Sequence, residues 1–116
     1  MDLADVRRLA CALPDAHEAP HFDLTSFRVG SKIFATAPLD GSVVRIFVDE
    51  PEARACVNEG LPAVALVHWG DRVAGVSLVL ASADPERVAE LLEDSWRRRA
   101  PKRVVAAFDA SHPKRT

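Results

Sequence analysis

The apolar positions of this chain follow two periods. Leu3, Val6, Leu9, Ala10 and Leu13 recur at three- and four-residue steps, the spacing of one helical face. Asp2 stands ready to cap that helix, and Asp5 sits in its first turn, where the helix dipole favours negative charge. Pro14 closes it near Leu13, since the residue before a proline is pushed toward extended backbone. Residues 14–21 read as a connecting loop. From Phe22 the period drops to two. Strands are predicted over 22–29, 32–37 and 42–48, separated by Gly30-Ser31 and by Pro38-Leu39-Asp40-Gly41. Glycine at the first central position of a two-residue turn suits a type II′ hairpin, with Arg28 and Lys32 flanking the bend. In the third strand Val44, Ile46 and Val48 make one apolar face, while Arg45 interrupts the other.

A second helix opens at Asp49-Glu50-Pro51-Glu52, with Asp49 as cap and Glu52 as its box partner, and ends near Asn58. Strands over 63–69 and 73–81 follow, joined at Gly70-Asp71-Arg72. Gly75, inside the last strand, marks a bulge or a close approach of backbone. Asp84-Pro85 starts a third helix, on which Val88, Leu91, Leu92, Ser95 and Trp96 share a stripe. Arg97, Arg98 and Arg99 fill its last turn. Residues 102–108 form a short fourth helix, and 109–116 are expected to fray. The predicted fold is α+β, a two-layer sandwich in the order α-β(3)-α-β(2)-α. Its sheet is five-stranded and antiparallel, with the helices on one face. No internal repeat is evident.

Length and composition narrow the class. A chain of 116 residues implies one domain, 1–116. No apolar run approaches the roughly 20 residues of a membrane helix, and the first residues are acidic where a secretory signal is basic. Cys11 and Cys56 stand far apart in no paired motif, which predicts reduced thiols and a cytoplasmic protein. No membrane contact, metal or cofactor is expected. Charge is distributed unevenly. Residues 1–94 hold 8 Lys and Arg against 16 Asp and Glu, whereas residues 95–116 hold 7 against Asp109 alone. A basic end on an acidic body suits an acidic partner.

His17-Glu18-Ala19-Pro20-His21 spells the zinc-peptidase motif, in which both imidazoles share a helical face and the glutamate faces a metal-bound water. Pro20 opposes that use, because it breaks a helix interior at a cost of about 3 kcal/mol.

Four patches in order resemble the MmcQ/YjbR family. They are Leu13-Pro14 with Glu18 and His21-Phe22; Ser26 to Ala35; His68-Trp69; and Ala100-Pro101-Lys102. The resemblance implies a two-layer α+β fold similar to secretion chaperones and a double-wing DNA-binding motif. It supplies no catalytic residues.

Three functions compete. For DNA binding, the candidate residues are Arg28 and Lys32 at the hairpin, Arg45 on the third strand, and Arg97, Arg98, Arg99, Lys102 and Arg103 at the helix end. Cations there would meet phosphates. For a protein-interaction or homodimerising module, the apolar surface would be Phe34, Val43 and Phe47. An enzyme would need His17, Glu18, His21 and His68 to converge with Asp23. The chain lacks a nucleophile motif and a phosphate-cradling loop, so no catalysis is expected.

Overall fold

Asp2 and Asp5 start the first helix, α1 (Leu3–Cys11), by exchanging side-chain and backbone hydrogen bonds, both 2.9 Å long. The computed structural model of the protein describes residues 1–112. After α1 come β1 (Ala16–His21), β2 (Leu24–Val29), β3 (Lys32–Pro38), β4 (Val43–Ile46), α2 (Glu50–Asn58), β5 (Val64–Trp69), β6 (Arg72–Val79), α3 (Pro85–Arg99) and α4 (Lys102–Ser111). The sheet order is β1-β2-β3-β4-β6-β5, with every neighbour pair antiparallel.

The sheet therefore has six strands, not five. The additional strand is β1, in the segment expected to be a loop. It pairs with β2 along its whole length, from Ala16 opposite Val29 to His21 opposite Leu24. As an edge strand it tolerates Pro20, whose missing N–H need not serve a ladder. Pairing also settles the apparent zinc motif. His17, Ala19 and His21 point to one face and Glu18 to the other. There Glu18 accepts from Arg7 Nε at 2.6 Å and from Thr25 Oγ1 at 2.5 Å. No group of three metal-binding side chains forms among the described residues.

The helices cover one sheet face, and the core lies between them. Val6 and Ala10 of α1, Ala53 and Cys56 of α2, and Val88, Leu91, Leu92 and Trp96 of α3 meet Phe27, Ile46, Val76 and Leu78 of the sheet. Ser95 ties α3 to the sheet. Its buried hydroxyl lies 2.7 Å from the Phe34 carbonyl oxygen and 2.5 Å from that of Phe47. Trp96 Nε1 donates to the Pro14 carbonyl at 3.0 Å, binding the end of α3 to the start of β1.

Three expectations change at this level. Phe34 was expected on the outward face but is fully buried in the core, because the strand register slips between Phe27 and Arg28 and skips it. Phe47 is buried too, against Trp69 at 4.9 Å. Residues 109–111 do not fray. Asp109 accepts two hydrogen bonds from Arg97, at 3.0 and 2.6 Å, and Phe108 meets Trp96 edge-on at 5.2 Å. Residues 113–116 of the expected tail lie outside the described residues.

One carboxyl has an unusual titration. Glu52, in the first turn of α2, has its pKa raised to about 7, first by burial and then by its hydrogen bond to Asp94 and the charges of Asp94 and Asp49. A folded-state pKa above the unfolded one means that the native state binds the extra proton between about 4.5 and about 7. Stability must then fall as pH rises through that window. Glu52→Gln is expected to flatten this decline and to melt above the parent at pH 8. A pH series of thermal melts on the two proteins checks it.

Candidate nucleic-acid interface

Strand direction decides which loops are neighbours. In this antiparallel order, the end of β2, the start of β3, the end of β4, the start of β6 and the end of β5 share one end of the sheet. Both tight hairpin tips, Gly30-Ser31 and Gly70-Asp71, therefore lie there. So does the C-terminal end of α3, because Ser95 bonds residues at the β3 and β4 ends and Trp96 bonds Pro14. The opposite end carries Asp23, Asp40, Asp84 and the Asp2 cap of α1, whose neighbour Met1 bonds Leu80.

The two hairpins are built alike. Val29-Gly30-Ser31-Lys32-Ile33 and Trp69-Gly70-Asp71-Arg72-Val73 share a pattern of apolar residue, glycine, polar residue, cation and β-branched residue. Gly30 and Gly70 each have φ of +61°, and neither Ser31 nor Asp71 has positive φ. These signs fit a type II′ turn. Each hairpin slips register at the same place, between Phe27 and Arg28 in one and between Val67 and His68 in the other. One difference matters. Val29 beside the first tip is buried, whereas Trp69 beside the second is 53% exposed on the uncovered face.

The candidate cations separate into groups. Lys32 is exposed at the first tip, opposite Val29. Arg98 and Arg99 line a groove of about 420 Å³ together with Trp69, Arg72, Val73 and Ala74. Asp49 and Glu50 form its other wall. Glu50 is engaged by Arg54 at 2.7 Å, and Asp49 caps α2. The Nε of Arg99 is buried without a hydrogen-bond partner. Lys102 and Arg103 are exposed at the start of α4, and Arg103 borders a separate hollow with Pro14 and Asp15.

Arg28 and Arg45 lie instead on the uncovered sheet face. Arg28 Nε donates to Ser26 Oγ at 2.9 Å, and Nη2 lies 3.5 Å from His21 Nδ1. Arg45 borders a shallow hollow of about 260 Å³ with Thr36, Phe47, Val67 and Trp69. Arg97 is committed elsewhere. Asp109 and Glu93 both pair with it, and these partners, Asp109 foremost, make its guanidinium harder to deprotonate. Its role is to hold α4 against α3. Among the described residues no carboxylate comes within ion-pair distance of Lys32, Arg45, Arg72, Arg98, Arg99, Lys102 or Arg103.

The histidines do not converge. His17 and His68 are exposed, and His21 sits at the far end of β1 from the basic tips. Phe22 meets the His21 ring edge-on at 4.8 Å yet is 93% exposed, and it adopts φ of +57°. Sequence reasoning missed Arg72 and Trp69. The repeated Gly-polar-cation pattern at the two tips was the available signal.

No helix among the described residues is long and apolar enough to cross a membrane. No curated protein matches the chain. The crystal structure of Deinococcus radiodurans protein DR2400, described as carrying the family-model domain DUF419, is similar with a TM-score of 0.74. The match has 19% identity and covers 95% of this chain and 86% of that one. At that identity it speaks for the fold alone. The YjbR family model matches residues 11–98, which span β1 through nearly all of α3 and include both hairpins. The chain is a member of the YjbR family.

Proposed function

We propose that the protein binds DNA through the end of its sheet where the two hairpin tips meet the α3–α4 junction. The observation that carries this is the register. It brings Lys32 and Arg72 to the end where the Ser95 and Trp96 bonds hold Arg98, Arg99 and Lys102, so that these cations outnumber Asp15, Asp49, Glu50 and Asp71 there, while Asp2, Asp23, Asp40 and Asp84 lie at the opposite end. Such a polarity steers a polyanion to one approach and repels it from others. The tips are three strand spacings apart, about 14 Å, close to the roughly 12 Å width of the major groove. Two cationic tips at that separation can meet phosphates on both sides of a groove, and this supports a duplex ligand. The role assigned is binding, with no catalytic step.

Anisotropy of a labelled duplex at two salt concentrations tests it. A dissociation constant of roughly 10⁻⁴ to 10⁻⁶ M at physiological salt is expected, tightening as salt falls. Arg98→Glu with Lys102→Glu should weaken binding and lower the slope of log affinity against log salt by about 1.8, at about 0.9 per phosphate contact. An unchanged slope would remove both residues from the interface.

A second surface supports a protein-interaction role. Phe22 and Leu39, 93% and 67% exposed, flank a hollow of about 390 Å³ at the acidic end with Pro20 and Leu24. Exposed large apolar residues placed side by side mark contact sites. Light scattering distinguishes this role: a dimer that Phe22→Ser returns to monomer supports it, and a strict monomer counts against it.

A further inference from the structure

Trp69 occupies a position that phosphate binding alone does not explain. It borders both the arginine-lined groove and the hollow on the uncovered sheet face. At the equivalent place in the first hairpin, Val29 is turned into the core. Here the unbroken alternation of β5 turns the indole outward with Ala65 and Val67, and the Phe47 ring lies against it at 4.9 Å. On one side lie Arg72, Arg98 and Arg99, the last with a buried, unpartnered Nε. On the other lie Thr36, Val67 and Arg45, which offer an apolar floor, a hydroxyl and a cation.

We infer that Trp69 is a stacking platform for an unpaired base of DNA whose flanking phosphates lie on Arg72, Arg98 and Arg99. This rests on the DNA-binding function proposed above and names the form of DNA preferred. Bases inside an intact duplex have their faces covered by neighbours and cannot reach an indole. An unpaired base has both faces free, and stacking on an aromatic side chain is sequence-tolerant because every base has a π-face. The arginines supply the charge complement, and the adjoining hollow receives the base edge. Preferred ligands are therefore a single strand, or a duplex carrying a short unpaired extension.

The test compares a labelled blunt duplex, the same duplex with a short thymidine overhang, and the same duplex with an abasic overhang. The thymidine overhang is expected to tighten binding roughly 5- to 150-fold, the range of one stacked base. The abasic overhang should add no more than its phosphates do. Trp69→Ala should erase the thymidine gain while keeping the blunt-duplex affinity and its salt slope, and Trp69→Phe should keep part of the gain. Because Trp96 is fully buried and the chain has no tyrosine, quenching of intrinsic fluorescence by an unlabelled thymidine strand reports on Trp69 directly. Equal affinity for thymidine and abasic overhangs, or absence of quenching, overturns the proposal. With normal salt-dependent duplex binding, that outcome leaves the basic-end interface standing. If the duplex fails to bind but the strand quenches Trp69, the stacking site stands and the duplex interface falls. If neither binds, both fall.

Discussion

Gly75→Ala is expected to lower the stability of the protein by about 3 kcal/mol, the upper part of the range for overpacking. A Cβ at this position would lie 2.1 Å from the Ile46 carbonyl oxygen and 2.9 Å from both Ile46 C and Phe47 Cα. All three are backbone atoms at the end of β4, so no rotamer change relieves the overlap. β4 and β6 would have to separate where Ile46 faces Val76. The damage extends toward the binding surface, because Val73 and Ala74 line the arginine groove. A melting-temperature drop of more than about 10 °C is the expected reading, at roughly 4 °C per kcal/mol for a domain of this size. A drop under 2 °C would mean that the strands give way at little cost and that glycine is not required there.

Trp96→Ala is the second large effect, about 3–5 kcal/mol. The side chain is fully buried in the core and touches Phe108 of α4, and its N–H satisfies the Pro14 carbonyl. Removing it opens a cavity, strips α4 of its aromatic contact and orphans an acceptor. Domains are held by only about 5–15 kcal/mol in total, so the variant should sit near the edge of unfolding. Trp96→Phe separates the contributions. It keeps most of the apolar volume and loses the hydrogen bond, which predicts a loss nearer 1–3 kcal/mol. Urea titration of the three proteins measures both steps. Equal losses for Ala and Phe would assign the whole effect to the hydrogen bond and none to packing.

The helices were legible because each carries its own punctuation. Asp2, Asp49 and Asp84 all cap as their sequence positions imply, accepting from Asp5, Glu52 and Glu86 backbone N–H groups. The stripe on α3 is buried at every position read from its period. β1 was not legible because its stability is not hydrophobic. Its inward positions hold Ala16 and Glu18, and it is held by backbone pairing and by Glu18 with Arg7 and Thr25. A period-two search for apolar residues passes over such a strand.

The binding surface was legible as a set of cations and not as a surface. Lys32, Arg72 and the Arg98–Lys102 cluster are far apart in sequence, and only the strand register, with the Ser95 and Trp96 hydrogen bonds, puts them at one end. The two aromatics differ in cause. A bulge shifts the parity of a strand by one, which exchanges the residues facing core and solvent. The slip beside Phe27 puts the extra residue in β3 and turns Phe34 inward, whereas the slip beside Val67 puts it in β6, at Ala74, so that β5 alternates unbroken and Trp69 faces outward with Ala65 and Val67. Neither slip leaves a mark in the alternation of residues. The repeated Gly-polar-cation motif at the two tips is the nearest thing to one. Arg97 shows the converse limit. Its sequence context made it a candidate for phosphate, but Asp109, on the next helix, occupies it.

The most direct test is a backbone amide NMR titration of the protein with a short DNA duplex at low salt. Shifts confined to residues 30–32, 69–72 and 98–103, with residues 22–24, 39–42 and 84–86 at the acidic end unmoved, are the predicted result. Shifts centred on the acidic end, or none at protein concentrations near 10⁻⁴ M, would contradict it.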